Sequence, residues 1–254
     1  MLLTIDTGNT ETVLGLFDGA DLVSHWRVST NSDRTSDEHA LLVSDLLGLE
    51  GYAFEETVTG ISISSTVPSL TATLREMTGR WFDVPAVVLE AGVRTGMPIL
   101  IDNPKELGPD RVANAIGAYE LYGGPCICVD FGTATTFDCV SEKGEYLGGA
   151  ILPGIGISMD ALFGRAAALR RVELVEPRNV IGKNTVESIQ SGAVYGFSGS
   201  VEAIVRRIKG ELGDCPVVAT GGWSGLIAPL SDSIDHLEPW ITLHGLRVVF
   251  ERNR

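Results

Sequence analysis

Apolar and polar residues follow two different periods along the chain, one typical of strands and one typical of helices. Short apolar runs predict strands at residues 2–5, 13–17, 23–28 and 61–65. Apolar residues at helical spacing predict helices at residues 40–47 and 70–81 and a long helix at 186–212. Because the two kinds of segment alternate, the pattern predicts an α/β fold.

Local turn and capping signals mark where some of these segments begin and end. Thr35 and Glu38 have the spacing of a capping box ahead of the helix at 40–47. Asp18 and Gly19 indicate a hairpin turn between the second and third strands. The long helix contains three glycines, which are weak helix formers and at which it could break or bend: Gly192, Gly196 and Gly199.

One stretch near the amino terminus recurs in the second half of the chain. Residues 5–13 read IDTGNTETV, and residues 129–137 read VDFGTATTF. In both, an aspartate that ends an apolar run is followed two positions later by glycine, and then by threonine before the next apolar run. The repeat predicts a duplicated architecture, with a first domain at 1–120 and a second at 121–254.

The residue types in these two turns fit the binding of phosphate. Glycine lets a ligand approach the backbone closely, and free amides and hydroxyls can bind phosphate oxygens. A carboxylate beside them would repel phosphate unless a hydrated Mg²⁺ lies between. The pattern therefore predicts two turns that hold a metal-bound nucleotide across a cleft. The alternative is a pair of ordinary hairpins in which Asp6 and Asp130 bond their own turn amides.

The composition and net charge of the chain exclude some classes of binding partner. The chain has 254 residues and is 44% hydrophobic, which is enough for one large or two small cores. With 19 Lys and Arg against 33 Asp and Glu, the net charge is -14, and such a field repels nucleic acid and anionic membranes. No basic leader and no run of ~20 apolar residues is present, so we expect a cytoplasmic protein with no membrane span.

Cysteine and histidine spacing argues against structural metal or disulfide chemistry. The four cysteines contain no Cys-x-x-Cys pair, and we expect reduced, buried thiols. The four histidines make no pair with ligand spacing, so we expect no zinc site.

Further segments, taken with the two turns, resemble the type III pantothenate kinases, a family of the acetate and sugar kinase, heat-shock ATPase and actin superfamily. The matching segments are DTGNT at 6–10, DNPKELGPDR at 102–111, DFGTAT at 130–135, GGAILPG at 148–154, GKNT at 182–185, ATGG at 219–222 and LHGL at 243–246. They follow the expected order over nearly the whole chain. The resemblance implies two duplicated ribonuclease-H-like domains of the actin-like ATPase type, with a cleft between them.

The resemblance also implies an activity. Enzymes of this family transfer the γ-phosphoryl group of ATP to the primary hydroxyl of pantothenate, which yields 4'-phosphopantothenate in the first step of coenzyme A synthesis. It implies a homodimer, Mg²⁺ and a monovalent cation, K⁺ or NH₄⁺.

Residue roles follow from the same resemblance. The first turn and the start of the next strand would bind the phosphates of ATP through Asp6, Thr7, Gly8, Asn9, Thr10, Glu11, Thr12 and Val13. Asp6 would hold Mg²⁺ through water, Asp130 would bind the monovalent cation, and Thr133 would contact ATP. Pantothenate would be bound by Ile101, Gly108, Pro109, Asp110, Arg111 and Thr185, with Asp110 as the catalytic base.

The residues around Asp110 agree with that role. Pro109 suits the first position of a helix, and the apolar spacing of Val112, Ile116 and Tyr119 predicts that the helix runs onward. Asp110 would then lie in the first turn, where the positive helix end favours the ionised carboxylate. The alternative is that Asp110 merely complements the helix end, as most first-turn aspartates do.

Two positions depart from the family pattern. Pro109 stands where family members usually carry alanine, and a first helical position accepts proline without loss of a hydrogen bond. Ile101 stands where many members carry a substrate-contacting tyrosine, so the apolar contact is kept and the hydroxyl is lost.

Two other functions compete with this kinase. Actin-like relatives use ATP as a conformational switch, so the chain could be a non-catalytic regulator or scaffold; the presence of the substrate segment with Asp110 and Thr185 favours the enzyme. The acceptor could also be another small alcohol or a sugar. Hexose kinases usually carry larger inserted domains, for which 254 residues leave little room.

Overall fold

The computed structural model describes residues 1–166 and 168–254. The strands are β1 (Leu2–Thr7), β2 (Glu11–Asp18), β3 (Asp21–Ser29), β4 (Gly60–Ser65), β5 (Ala86–Val88), β6 (Cys126–Phe131), β7 (Ala134–Val140), β8 (Tyr146–Pro153), β9 (Val217–Thr220) and β10 (His236–Leu237). The α-helices are α1 (Ser36–Leu49), α2 (Phe54–Thr57), α3 (Pro68–Trp81), α4 (Pro109–Tyr122), α5 (Ile155–Arg165), α6 (Thr185–Leu212), α7 (Ser224–Ile227) and α8 (Ile241–Arg252).

The chain divides into two compact units. The first unit comprises Met1–Pro98, Asp102–Glu120 and Ile241–Arg254, and the second comprises Ile99–Ile101 and Leu121–Trp240. The predicted division at residue 120 differs from these units chiefly at the carboxyl end, because α8 packs on the first unit instead of continuing the second.

The two units have the same sheet topology. The strand order is β3-β2-β1-β4-β5 in the first unit and, written in the matching direction, β8-β7-β6-β9-β10 in the second. In each, the first two pairings along the chain are antiparallel hairpins, and the first strand pairs in parallel with the fourth. This confirms the prediction of a duplicated α/β architecture.

One face of the first sheet carries the apolar core of its unit. Leu3 and Ile5 of β1 and Ile61 and Ile63 of β4 are fully buried there, against side chains of α1 and α3. The predicted capping box opens α1: the Thr35 hydroxyl accepts from the backbone N–H of Glu38 at 3.3 Å, and the Glu38 carboxylate accepts from that of Thr35 at 2.8 Å.

The opposite face of the first sheet is covered by α8, which in turn supports α4. Ser62 on β4 donates a hydrogen bond to the carbonyl of Leu246 at 2.9 Å. A Cβ atom at Gly245 would lie 1.9 Å from the carbonyl oxygen of Ala113, so the two helix backbones meet at van der Waals contact. This packing sets the position of α4 relative to the strand that carries Asp6.

The second unit has its own apolar core, built on β6, β7 and β9 with α6. Its long helix is continuous over Thr185–Leu212, so no break occurs at the three glycines, whose Cβ positions are open.

The four cysteines are free and buried, as expected. Burial raises the pKa of the Cys126 thiol to about 12, which makes it unreactive. Among the described residues, no helix has the length and apolar character that crossing a bilayer requires.

A buried histidine makes stability depend on pH. Burial lowers the pKa of His39 on α1, and the charge of Arg34 lowers it further while Glu38 opposes this. Because the unfolded chain then binds a proton at higher pH than the folded chain, the contribution of His39 is complete above its unfolded pKa of ~6.5 and declines as pH falls. We expect the melting temperature to fall between pH 7.5 and 5.5, and the fall to be smaller in His39→Gln. An equal fall in both proteins would contradict this.

Candidate functional site

The first predicted phosphate turn joins β1 to β2. The backbone N–H of Gly8 donates to the carbonyl of Glu11 at 2.9 Å, which closes the turn. Asn9, Thr10 and Glu11 are exposed, whereas Thr7 and Thr12 at its two ends are buried. The turn therefore presents polar groups to solvent from a rigid base.

Thr30, just beyond β3, supports this turn from behind. Its hydroxyl donates to the carbonyl of Gly8 at 2.8 Å and lies 2.9 Å from the hydroxyl of Thr12, and its backbone N–H donates to the carbonyl of Thr10 at 3.0 Å. Sequence reasoning did not find Thr30, because nothing in its local pattern shows that it contacts a turn twenty residues earlier.

Replacing Thr30 with valine tests whether this support matters for nucleotide binding. The change keeps the shape of the side chain and removes its hydrogen bonds to the turn. We expect the KM for ATP to rise roughly three- to tenfold, which corresponds to about one lost hydrogen bond. Thr30→Ser, which keeps the hydroxyl, should behave like the wild type. An unchanged KM for ATP in Thr30→Val would show that the turn holds its shape without Thr30.

Asp6 is the penultimate residue of β1 and the last residue on the polar face of that strand. In the sheet it lies between Val13 of β2 and Ser64 of β4, and paired residues on adjacent strands share a face. Asp6 therefore has a hydroxyl-bearing neighbour on its parallel side.

Asp130 occupies the matching position in the second unit. It is paired with Thr136 of β7 and Thr220 of β9. A Cβ atom at Gly221 would lie 2.3 Å from a carboxylate oxygen of Asp130, and the φ of Gly221 is 91°, in the region that favours glycine. Only glycine at this position leaves room for the Asp130 side chain where it stands.

The second turn is tighter than the first. The backbone N–H of Gly132 donates to the carbonyl of Ala134 at 3.0 Å. Thr133 at its tip is exposed, and its carbonyl accepts from the N–H of Gly154 at 3.1 Å. Thr133 is thus available to a ligand while its backbone is held by the start of α5.

Asp110 lies in the first turn of α4, as predicted, with Pro109 at the first helical position. One of its carboxylate oxygens would lie 2.4 Å from a Cβ atom at Gly108, so the side chain folds back over that glycine. Burial raises the pKa of Asp110, although the backbone N–H and the charge of Arg111 oppose the shift. Desolvation of the half-buried carboxylate is the larger effect on this pKa, and it acts against the stabilisation that the positive helix end provides.

The remaining predicted substrate residues are distributed over both units. Arg111 is half-buried beside Asp110 on α4, in the first unit. Ile101 belongs to the second unit and packs 3.6 Å from the Cβ position of Gly148. Thr185 is exposed at the start of α6, after Asn184, whose side chain accepts from the N–H of Glu187 at 2.9 Å. Asp6 and Asp110 share the first unit, and Asp130, Thr133 and Thr185 share the second.

The donor groups at Asp6 fit a hydrated magnesium ion. Within residues 1–166 and 168–254, no three His, Cys, Asp or Glu side chains are grouped closely enough to hold a metal ion by themselves. A carboxylate with an adjacent hydroxyl supplies the hard oxygen atoms that Mg²⁺ prefers, and Mg²⁺ usually keeps several waters and binds substrate phosphates. The residues therefore suit Mg²⁺ bound together with a nucleotide.

Two units of one topology, each with an aspartate-glycine turn between its first two strands, define the fold class of the sugar kinases and actin-like ATPases. A crystal structure from Campylobacter jejuni, described as that of a Baf family transcriptional activator, has this fold with a TM-score of 0.63 at 18% identity, and the alignment covers 99% of this chain and 98% of that one. Component A of the Acidaminococcus fermentans (R)-2-hydroxyglutaryl-CoA dehydratase aligns with a TM-score of 0.51 at 14% identity, covering 100% and 99%.

Sequence comparison identifies the family. The model of the type III pantothenate kinase family matches residues 2–207. The type III pantothenate kinase of Streptomyces griseus is 58% identical over 100% of this chain and 98% of its own length, and that of Moorella thermoacetica is 54% identical over the full length of both. The chain belongs to the type III pantothenate kinase family.

Proposed function

We propose that this protein transfers the γ-phosphoryl group of ATP to the primary hydroxyl of pantothenate, and so forms 4'-phosphopantothenate and ADP in the first step of coenzyme A synthesis. The observation that carries the proposal is a half-buried carboxylate, Asp110, on the first turn of α4 in a chain of this family. Its position and raised pKa suit a group that accepts a proton from an alcohol.

Asp110 acts as the general base in this reaction. The hydroxyl oxygen of pantothenate forms a bond to the γ-phosphorus, the bond from that phosphorus to the β,γ-bridging oxygen breaks, and the hydroxyl proton moves to the Asp110 carboxylate. Because a base works best when its pKa approaches the working pH, burial makes Asp110 a stronger base than an exposed aspartate. Arg111, Ile101 and Thr185 orient pantothenate, with Gly108 and Pro109 shaping the backbone beside it.

The first turn binds the phosphates of ATP. Its exposed residues Asn9, Thr10 and Glu11 lie on a base held by Thr30, and phosphoryl transfer depends mainly on such positioning. Asp6 holds Mg²⁺ through water, and the ion neutralises charge on the phosphate oxygens when bound. In the second unit, Thr133 contacts ATP and Asp130 binds a monovalent cation, K⁺ or NH₄⁺.

The active form is a homodimer in the cytoplasm. Several large apolar side chains of the second unit are exposed, which supports a partner surface there: Ile151, Val180, Ile181 and Val186. A reaction that consumes ATP and a chain whose cysteines are all free both agree with a cytoplasmic location.

Acceptor-dependent release of ADP tests the proposal. ADP is measured with ATP and Mg²⁺ in the presence of pantothenate, of hexoses or of no acceptor, each with and without K⁺. We expect ADP to be released only when pantothenate is the acceptor, and we expect K⁺ to stimulate this release. Equal release without acceptor would indicate a nucleotide-dependent switch, and release with a hexose would indicate a sugar kinase; either result would contradict the proposal.

A further inference from the structure

The side chain of Ser64, at the end of β4, is buried but has no hydrogen-bond partner. The residue is 0% exposed, and its hydroxyl oxygen finds no partner among the residues that the structure describes. A buried hydroxyl in this state loses its hydrogen bonds to water without replacement, and native structures rarely tolerate it. Such a group needs an explanation beyond folding.

Other hydroxyls on the same face of the sheet are satisfied. Ser62, two residues earlier on β4, donates to the carbonyl of Leu246 at 2.9 Å, and Thr4 on β1 donates to the carbonyl of Gly15 at 3.1 Å. Both are fully buried, like Ser64. The protein therefore pairs the hydroxyls in the covered part of this face and leaves unpaired the one at the end where Asp6 stands.

The pairing of the strands places Ser64 directly beside Asp6. The two residues are partners in the parallel ladder of β1 and β4 and so lie on one face of the sheet. The second unit repeats the arrangement, since Asp130 is the ladder partner of Thr220. In both copies, a hydroxyl-bearing residue stands on the parallel side of the aspartate.

We propose that the hydroxyl of Ser64 belongs to the nucleotide site and hydrogen-bonds to a water molecule of the magnesium ion held at Asp6. The inference rests on the proposed function, and it deepens that function by adding a residue without an assigned role. Because Mg²⁺ gives up its waters reluctantly and is bound by few protein groups, contacts to those waters fix its position. Ser64 is a positioning residue in this assignment.

Two serine variants separate this role from a role in folding. Ser64→Ala removes an unpaired buried hydroxyl, so its melting temperature without ligand should equal or exceed that of the wild type. Ser62→Ala removes a paired hydroxyl from the same face and should melt at a lower temperature. The affinity for Mn²⁺, used in place of Mg²⁺, is measured by electron paramagnetic resonance in the presence of ADP. It should fall about tenfold in Ser64→Ala, as for other groups that support metal ligands, and stay unchanged in Ser62→Ala.

Binding of ADP in EDTA completes the test. Without a divalent metal, Ser64→Ala and the wild type should bind ADP equally. An unchanged Mn²⁺ affinity in Ser64→Ala would overturn the inference, and so would an equal loss of ADP affinity with and without metal, because the hydroxyl would then contact phosphate. A wild-type protein that binds no Mn²⁺ with ADP would overturn the proposed function itself, and the assignment of Ser64 with it.

Discussion

Replacing Asp110 with asparagine is expected to lower kcat by about 10²- to 10⁴-fold, the range over which a general base contributes to catalysis. Asparagine has nearly the same size and cannot accept the proton of the pantothenate hydroxyl. ATP binding should not change, since the role proposed for Asp110 concerns the acceptor. Initial rates of ADP formation, together with the dissociation constant for ATP, measure both effects.

The matched control for this change is Asp102→Asn, which removes an exposed carboxylate eight residues earlier. It should retain the activity of the wild type. If Asp110→Asn kept most of the wild-type kcat, Asp110 would merely complement the end of α4.

The pH dependence of the wild-type rate should reflect the ionisation of Asp110. The base works only when it is ionised, and burial raises its pKa above the ordinary value of an aspartate. The rate should therefore decline as pH falls, at a higher pH than the ~3.9 of an exposed aspartate would give.

Replacing Gly245 with alanine is expected to lower the free energy of unfolding more than any other substitution proposed for this protein. The new Cβ would lie 1.9 Å from the carbonyl oxygen of Ala113 and 2.6 Å from its carbon, and no side-chain rotation can relieve a clash with backbone. Helices α4 and α8 must separate, at about 3 kcal/mol or more. The melting temperature should fall by roughly 6–12 °C, as followed by circular dichroism.

Gly199→Ala in α6 is the control for this change. Nothing lies within 4 Å of its Cβ position, and alanine is the better helix former by ~0.5–1 kcal/mol. Its melting temperature should rise slightly. A Gly245→Ala protein as stable as the wild type would show that the contact between α4 and α8 is not close enough to set the position of Asp110.

Individual helices and strands could be predicted because the residues that determine them lie close together in the sequence. The spacing of Leu70, Leu74 and Met77 marks the buried side of α3, and the capping box at Thr35 forms as its spacing indicates. Boundaries were less accurate: β1 and β2 each extend two residues beyond the predicted apolar runs into the turn between them, because ladder pairing continues through polar residues.

The duplication was visible in sequence because the same chemistry recurs in both turns. The packing of α8 on the first unit could not be predicted from the sequence. It depends on the absence of a side chain at Gly245 and at Gly117, and the sequence does not show which residues a helical glycine contacts. Sequence patterns alone would leave α8 with the segment that precedes it.

The sequence indicates candidate charged residues for the site but not the residues that support them. Aspartates in glycine-rich turns are conspicuous, whereas Thr30 is an ordinary hydroxyl whose partners lie in the turn between β1 and β2 and at the start of β2. The raised pKa of Asp110 could not be predicted, because a helix end can be recognised in the sequence and burial by distant segments cannot.

Identification of the phosphorylated product determines whether this protein transfers the γ-phosphoryl group of ATP to pantothenate. The protein is incubated with ATP, Mg²⁺, K⁺ and pantothenate, and the products are analysed by mass spectrometry and ³¹P nuclear magnetic resonance. We predict one ADP formed for each pantothenate that gains a phosphoryl group on its primary hydroxyl. Pantothenate recovered unchanged, with ADP accompanied by inorganic phosphate or with no ADP at all, would contradict the account.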